Sequence, residues 1–203
     1  MKTLLLSILL FAAIACGRSS SGNEESSQDI LPSATQTGAN TAGCYINGKL
    51  LIPKNGSQSI GGSPAYGLTT GAGNNFHPPT IGNDYQYFRI ANLKDNNGDE
   101  VYIHINNMSQ GLGEYIVGQS NGEYFPINNN VPHIIAHIRD SSNLIHTYFS
   151  SDNSGKIIIT KFDYYEGIYS GTFYVTLYNK DNPSEKAQIT EGRFDVNIGT
   201  LNH

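Results

Sequence analysis

Residues 101–106 have the sequence Val-Tyr-Ile-His-Ile-Asn, and residues 173–178 have the sequence Phe-Tyr-Val-Thr-Leu-Tyr. In both segments apolar and more polar side chains alternate with a period of two, which is the period of a β-strand. The same alternation occurs in residues 134–138 and 194–198. One face of each strand is therefore expected to be buried and the other to be wetter, as in antiparallel sheets.

Residues that favour turns separate the alternating segments. The chain contains 22 Gly and 22 Asn, which supply many backbone positions of positive φ. Asn47-Gly48, between two apolar runs, is the strongest short signal for a hairpin. These patterns predict an all-β fold of about ten antiparallel strands, arranged as a β-sandwich or as a flattened lipocalin-like barrel. Residues 70–84 and 120–132 are predicted to be long loops, because Gly, Pro and Asn interrupt both periodicities there.

The N-terminus has the features of a secretory signal. Met1-Lys2-Thr3 is a short positive start, residues 4–14 are almost entirely apolar, and the small residue Ala15 precedes Cys16. The apolar run is too short to span a bilayer as a helix. Residues 1–15 are therefore predicted to be a signal peptide.

The segment Ala13-Ile14-Ala15-Cys16 resembles the lipobox of bacterial lipoproteins. The resemblance implies that Cys16 becomes the lipidated first residue of the mature chain, and that this lipid holds the protein at a membrane. Gly17 stands where an Asp commonly retains lipoproteins at the inner membrane. The resemblance therefore implies the outer membrane of a two-membrane bacterium, facing the periplasm or the cell surface. The net charge of −5 argues against a nucleic-acid partner.

A polar segment separates the signal peptide from the alternating strands. Residues 17–42 consist almost wholly of small and polar residues, with Ile30-Leu31-Pro32 as their one apolar cluster. Such a composition buries too little apolar surface to order itself. We therefore expect residues 16–42 to be a lipidated cysteine followed by a flexible tether, and residues 43–203 to be a single β domain.

The C-terminal part of the chain also carries a resemblance to a family. The strand Ile189-Thr190-Glu191-Gly192-Arg193-Phe194-Asp195-Val196, together with residues 155–160 and 170–173, resembles the closing half of a group of uncharacterised Bacteroidetes lipoproteins of the outer membrane. Residues 45–49 are similar to their first hairpin. The resemblance implies a location and a fold, and it implies no chemistry.

Within that strand, the residues themselves predict a structural role. Gly192 is expected to form a β-bulge at positive φ. Arg193 and Asp195 are two residues apart and are expected to share the wetter face of the strand.

The search for catalytic and metal sites yields no catalytic residue, no metal and no cofactor. His133 and His137 share a strand face at a separation of about 13 Å, which is too far to bind one ion. Cys44 is expected to be a buried apolar thiol. Carboxylates such as Glu114, Asp163 and Glu166 are present, but their spacing does not select a catalytic pair.

Tyrosine is abundant, with 13 Tyr and no Trp. Alternation places Tyr85 and Tyr87 on one strand face, and Tyr174 and Tyr178 on another. These rings either form cross-strand pairs that stabilise the sheet, or form a surface that binds a protein or a glycan.

Three functional hypotheses follow from the sequence. The first is a non-catalytic, lipid-anchored β domain of the cell envelope that binds a partner or a glycan through loops or the tyrosine faces. The second is a carrier of a small apolar ligand, built like a lipocalin barrel. The third is a hydrolase with residues gathered from separate strands. The side chains that line the clefts and cavities of the fold distinguish these hypotheses.

Overall fold

The computed structural model describes residues 29–57, 65–73, 84–94, 98–124 and 131–203. The expected signal peptide and Cys16 lie outside these residues. The described residues form ten strands and one 3-10 turn at Met108–Gln110, which confirms the predicted all-β fold. The strands are β1 (Thr41–Ile46), β2 (Lys49–Leu51), β3 (Leu68–Gly73), β4 (Tyr85–Ala91), β5 (Glu100–Asn106), β6 (Gly113–Ile116), β7 (His133–Arg139), β8 (Ile145–Asp163), β9 (Ile168–Asn179) and β10 (Lys186–Asn197).

All ten strands belong to one antiparallel sheet that curls into a half-barrel. The strand order is β2-β1-β10-β9-β8-β7-β5-β4-β3, and β6 pairs with β8 beside this path. Because one continuous sheet forms both walls, the architecture is nearer to the expected barrel than to a sandwich of two sheets. No helix in the described ranges is both long and apolar enough to cross a membrane.

The two edges of the sheet, β2 and β3, face each other across a seam. After β2 the chain continues along the seam, where Lys54 forms a bridge with Asn92 and the Gly56 N–H donates to the Ala65 carbonyl at 2.9 Å. Further along, the Asn202 side-chain amide donates to the Leu68 carbonyl of β3 at 2.8 Å. The seam is therefore bridged by backbone after β2 and by the C-terminal turn.

The concave side of the half-barrel is filled by apolar side chains. Phe88 of β4 and Phe194 of β10 stack across the interior with ring centroids 4.2 Å apart. Both rings are buried, as is the free thiol of Cys44 in β1. Burial raises the pKa of that thiol to about 12, so Cys44 is the inert apolar cysteine that the sequence predicts.

The folded body begins before the boundary expected at Gly43. The carboxylate of Asp195 accepts hydrogen bonds from the hydroxyl of Thr35 at 2.6 Å, the N–H of Gly38 at 2.8 Å and the N–H of Ala39 at 3.1 Å. Residues 35–42, which the sequence assigned to a flexible tether, are thus fixed against β10. These polar residues are ordered because their N–H and hydroxyl groups donate to the buried carboxylate of Asp195, which lies far away in the sequence.

The expectation that Arg193 and Asp195 both lie on a wet face of β10 is wrong for Asp195. Arg193 and Asp195 do share a face, but Asp195 is only 2% exposed because residues 35–39 cover it. Burial alone would raise the pKa of this carboxyl. The hydrogen bonds from Thr35, Ser170, Ala39 and Gly38 outweigh that cost and lower the pKa to about 2.

The β-bulge expected at Gly192 is present, with a different residue in the left-handed conformation. The pairing of β10 with β9 shifts register between Ile189 and Gly192, and the positive φ, 51°, belongs to Glu191. Gly192 itself is required for space, because a Cβ atom there would lie 2.6 Å from the ring of Phe173. The expectation of positive φ at Gly192 is therefore wrong, although the bulge is correct.

Part of the loop predicted over residues 70–84 is a strand. Residues 70–73 are the last four of the six residues of β3 and pair in register with residues 85–88 of β4. The glycines there are compatible with a strand because tyrosine rings of β4 cover them. Residues 74–83, the remainder of the predicted loop except Asp84, lie outside the described residues.

Candidate functional site: the convex aromatic face

Aromatic and histidine side chains occupy the convex side of the half-barrel, which we term the aromatic face. In β4, Phe88 and Ile90 point into the core, so Tyr85 and Tyr87 point outward. In β9, the core residues alternate with Tyr174 and Tyr178. Each predicted tyrosine pair therefore lies on one face of its strand. The members of the aromatic face are Tyr85, Tyr87, Tyr102, His104, His133, His137, Phe149, Tyr174 and Tyr178.

The two tyrosine pairs do not form one cluster. Strands β5, β7 and β8 lie between β4, which carries Tyr85 and Tyr87, and β9, which carries Tyr174 and Tyr178. A ligand of ordinary size therefore cannot contact both pairs at once.

Tyr85 and Tyr87 have packing partners on both neighbouring strands. On β3, a Cβ atom added at Gly71 would lie 2.6 Å from the ring of Tyr87, so the ring covers the glycine. On β5, Tyr87 stacks with Tyr102 at 5.3 Å and Tyr85 stacks with His104 at 5.2 Å between ring centroids. These contacts are the cross-strand pairs that stabilise a sheet, the first of the two alternatives given for the tyrosines. They favour a stabilising role for Tyr85 and Tyr87.

Two buried histidines continue the stack from Tyr85. His104 and His133 are directly opposite each other on β5 and β7, with ring centroids 4.6 Å apart. Burial, and then the neighbouring His133, lower the pKa of His104 to about 3, and burial also lowers the pKa of His133. Both rings are therefore neutral at pH 7.

Two residues that follow β6 in the chain, Glu123 and Tyr124, lie against the aromatic face. Tyr124 packs edge-on against Tyr102 at 4.7 Å between centroids, and its hydroxyl lies 2.5 Å from Nε2 of His137. The hydroxyl of Tyr102 donates to the Tyr124 carbonyl. Nε2 of His133 lies 3.2 Å from the carbonyl oxygen of Glu123. The β5–β7 part of the aromatic face is thus covered by the chain itself.

The two histidines of β7 are placed as the strand periodicity predicts. His133 and His137 lie on the same face of β7, as expected for a strand, and each contacts a different partner. Within the parts of the chain that the structure describes, no group of three or more His, Cys, Asp or Glu side chains is placed to hold a metal ion.

The carboxylates considered for a hydrolase take part in local structure. Glu114 pairs with Lys156 at 2.8 Å, and Asp163 pairs with Lys161 at 3.2 Å. The carboxylate of Asp163 also accepts from the N–H of Glu166 at 3.1 Å, which closes the β8–β9 turn. These contacts give no support to a catalytic carboxylate pair.

Tyr178 lines a cleft at the β8–β9 end of the aromatic face, away from Tyr85 and Tyr87. It is directly opposite Phe149 of β8 in the β-ladder, and the ammonium of Lys186 lies 5.2 Å from its ring centroid. The cleft has a volume of about 350 Å³ and is open to solvent. We term it the aromatic cleft; its lining residues are Gln119, Phe149, Ser150, Ser151, Tyr178, Asn179, Lys180 and Pro183.

Hydrogen bonds fix both walls of the aromatic cleft. On one wall, the hydroxyl of Ser150 donates to the Gly118 carbonyl at 2.9 Å and ties the loop to β8. On the other, the side-chain carbonyl of Asn179 accepts from the N–H of Asp181 at 2.9 Å and shapes the β9–β10 turn. That turn carries Lys180, whose side chain is exposed and forms no ion pair within the described ranges. The rim thus offers hydroxyl and ammonium groups beside two aromatic rings.

Tyr174, the fourth predicted site residue, stands apart from the aromatic cleft. Its side chain is 48% exposed, and it is paired in register with Lys156 of β8. It borders a shallow depression of about 200 Å³ with Ile116 and Lys156. Four residues along β9 separate it from Tyr178, a distance of about 13 Å.

The sequence identified one member of the aromatic cleft, Tyr178, and did not identify Phe149, Ser151 or Lys180. Phe149 joins Tyr178 only through the register of β8 with β9, which includes a shift between Ser150 and Gly155. Such a shift has no signal in local periodicity.

Comparison of the chain with protein-family models, with curated proteins and with solved structures finds no match. The geometry of the aromatic face and of the clefts is therefore the basis for assigning a function.

Proposed function

We propose that the protein is a non-catalytic, lipid-anchored binding domain of the cell envelope that recognises a glycan through the aromatic cleft. In this proposal an acyl chain on Cys16 holds the protein at the outer membrane, facing the periplasm or the cell surface. The lipobox-like residues 13–16 support the anchor. In this arrangement the lipid lies at the N-terminal end of the chain and the aromatic cleft lies in the β domain.

The observation that carries the binding proposal is the pairing of Phe149 and Tyr178 at the floor of a concave site. Aromatic rings offer flat apolar surface to the C–H face of a sugar ring, and Tyr adds a polar hydroxyl at little conformational cost. The hydroxyl of Ser151 and the ammonium of Lys180 lie at the same cleft. Sugar hydroxyls both donate and accept hydrogen bonds, so they suit this mixed rim.

The size of the aromatic cleft favours a glycan over a folded protein partner. A volume of about 350 Å³ falls at the lower end of the range for small-molecule sites. A stable interface between two proteins buries about 1,200 Å² or more and does not depend on one such cleft. A short stretch of a glycan fills the cleft, with the neighbouring sugar units in solvent.

The proposal is tested with an oligosaccharide array that includes soluble peptidoglycan fragments, lipopolysaccharide cores and plant polysaccharide fragments. We expect saturable binding to at least one glycan by the full chain. The Tyr178→Ala variant should bind that glycan about five- to thirtyfold more weakly, because a stacking ring contributes about 1 to 2 kcal/mol.

The matched control is Tyr165→Ala. Tyr165 is 94% exposed in the β8–β9 turn, remote from the aromatic cleft in the fold, so this variant should bind as the parent does. Equal loss in both variants, or no binding to any glycan by the parent chain, would contradict the proposal.

A further inference from the structure

The outward face of β9 links the aromatic cleft to the depression beside Tyr174. Side chains alternate along β9, so Tyr174, Thr176 and Tyr178 point to the same side, away from the core residues Val175 and Leu177. Tyr174 is exposed, and Thr176 and Tyr178 are half-buried. A solvent-accessible floor with an aromatic ring at each end therefore extends along the strand for about 13 Å.

A bulge in β8 forms one wall beside this floor. The pairing of β8 with β9 is interrupted at residues 151–154 of β8, which lie beside Thr176 of β9. Ser151 lines the aromatic cleft, and Asn153 and Ser154 line the second depression. The same short bulge therefore borders both concave sites, and it offers hydroxyl and amide groups along the floor.

Strand β10 forms the other wall. The ammonium of Lys186 lies over the ring of Tyr178, and the hydroxyl of Thr176 donates to the side-chain carbonyl of Gln188 at 3.1 Å. Gln188 is exposed, so its amide group can also bond a sugar hydroxyl. We term the floor (Tyr174, Thr176 and Tyr178) and its two walls (residues 151–154, and Lys186 with Gln188) the tyrosine track.

The charged groups at the Tyr174 end of the tyrosine track are paired with each other. Lys156, which is directly opposite Tyr174 on β8, forms an ion pair with Glu114 at 2.8 Å. Glu191, in the bulge of β10, contacts Arg193 at 3.3 Å. Paired charges do not select a charged ligand, whereas aromatic rings and hydroxyl groups suit the C–H faces and the hydroxyls of an uncharged sugar.

The distance between the two tyrosines determines the length of a glycan that contacts both. One sugar unit covers about 5 Å of an extended chain, so rings about 13 Å apart stack on units that are two or three places apart. A chain that reaches both rings therefore has about four units. β-1,4 links between hexose units give a straight chain of this kind, which can follow the straight floor of a strand.

We propose that the tyrosine track binds a linear, uncharged, β-1,4-linked glycan of about four or more hexose units, with one unit stacked on Tyr178 and another on Tyr174. This inference rests on the proposed glycan recognition at the aromatic cleft. It adds a second contact site on β9 and the class of glycan chain. Affinity should therefore rise with chain length until the glycan reaches both rings.

The test measures affinities by isothermal titration calorimetry and uses the full chain with Cys16→Ser, so that no acyl group is attached. The probes are the β-1,4-linked oligomers of glucose and of N-acetylglucosamine, from the disaccharide to the hexasaccharide. In at least one of these series we expect the hexasaccharide to bind about five- to thirtyfold more tightly than the disaccharide, because the longer probe reaches a second stacking ring.

Substitutions separate the two ends of the tyrosine track. Tyr174→Ala should weaken the hexasaccharide about five- to thirtyfold and leave the disaccharide unchanged, because the disaccharide occupies the aromatic cleft alone. Tyr174→Phe keeps a stacking ring and should retain hexasaccharide binding. Tyr178→Ala should weaken both probes. Tyr165→Ala, which removes an exposed ring of the β8–β9 turn, is the control and should weaken neither.

The inference and the proposed function fail through different results. Equal affinity for the disaccharide and the hexasaccharide, or hexasaccharide binding that Tyr174→Ala does not change, would overturn the tyrosine track. Binding confined to glycans of other linkages on the array would also overturn it. In each of these cases, binding that Tyr178→Ala weakens leaves the aromatic cleft as a glycan site. The proposed function fails when no glycan binds or when Tyr178→Ala changes nothing.

Discussion

The backbone N–H of Gly38 donates to the carboxylate of Asp195 at 2.8 Å, across 157 positions of sequence. The same carboxylate accepts from the hydroxyl of Ser170 at 2.7 Å and from three further residues of the N-terminal segment, Thr35, Thr37 and Ala39. One side chain of β10 therefore fixes the point at which the N-terminal segment joins the sheet.

Replacement of Asp195 should destabilise the whole fold. Asp195→Ala leaves several buried donors without an acceptor, so we expect the free energy of unfolding at pH 7 to fall by about 3 kcal/mol. Urea denaturation measures this change. Asp181→Ala, at an exposed position in the β9–β10 turn, is the control and should change the unfolding free energy by less than about 0.5 kcal/mol.

Acid should remove the contribution of Asp195. Its pKa in the folded protein, about 2, is below the ordinary value, so its stabilisation is complete above about pH 4 and is lost as the pH falls through 2. The stability difference between the parent and Asp195→Ala should therefore shrink by about 2 kcal/mol between pH 4 and pH 2. A difference that stays constant over this range would contradict the hydrogen-bonded carboxylate.

Mild acid should act through the buried histidines. The pKa of His104 in the fold is about 3, against 6.5 for an exposed imidazole, so the unfolded chain binds a proton first and stability falls as the pH drops from 6.5 towards 3. Between pH 6.5 and pH 5, His104 should account for about 2 kcal/mol of the loss. His104→Phe keeps a ring that can stack with Tyr85 and should remove the part of the loss that comes from His104. Identical losses in parent and variant would show that His104 does not titrate as the geometry requires.

The bulge in β10 predicts opposite effects at two adjacent residues. Glu191 has positive φ, so Glu191→Gly should relieve backbone strain and raise the unfolding free energy by about 0.5 kcal/mol, despite the loss of an exposed contact with Arg193. Gly192→Ala should lower it by about 1 to 3 kcal/mol, because the new methyl group meets Phe173. Thermal denaturation of both variants measures these changes, and a stabilised Gly192→Ala protein would contradict the packing described.

The proposed lipid anchor is tested by metabolic labelling. Labelled palmitate should enter the parent protein and should not enter Cys16→Ala. Cys44→Ala is the natural control, because Cys44 is the other cysteine of the chain and is fully buried in the fold. It should keep the label. Labelled Cys16→Ala protein would show that the acyl group is elsewhere.

The sequence predicted the parts of the fold that depend on local alternation. Val101, Ile103 and Ile105 are buried on one face of β5, as the period of two requires. The same rule placed Tyr85 with Tyr87 and Tyr174 with Tyr178. These predictions succeed because the two faces of a strand are determined by neighbours in sequence.

The parts that the sequence did not predict depend on register and on distant partners. Residues 35–39 are polar enough to suggest a tether, and only the approach of Asp195 from β10 orders them. Phe149 and Tyr178 meet through a ladder that contains a register shift.

The central claim is that the Phe149–Tyr178 cleft is a glycan-binding site. The most direct measurement is an amide NMR titration of the protein with the glycan that the array identifies. The largest chemical-shift changes should fall in residues 149–151 and 178–183, and Tyr178→Ala should need about five- to thirtyfold more glycan to reach them. Changes confined to other strands, or unchanged binding by Tyr178→Ala, would contradict the claim.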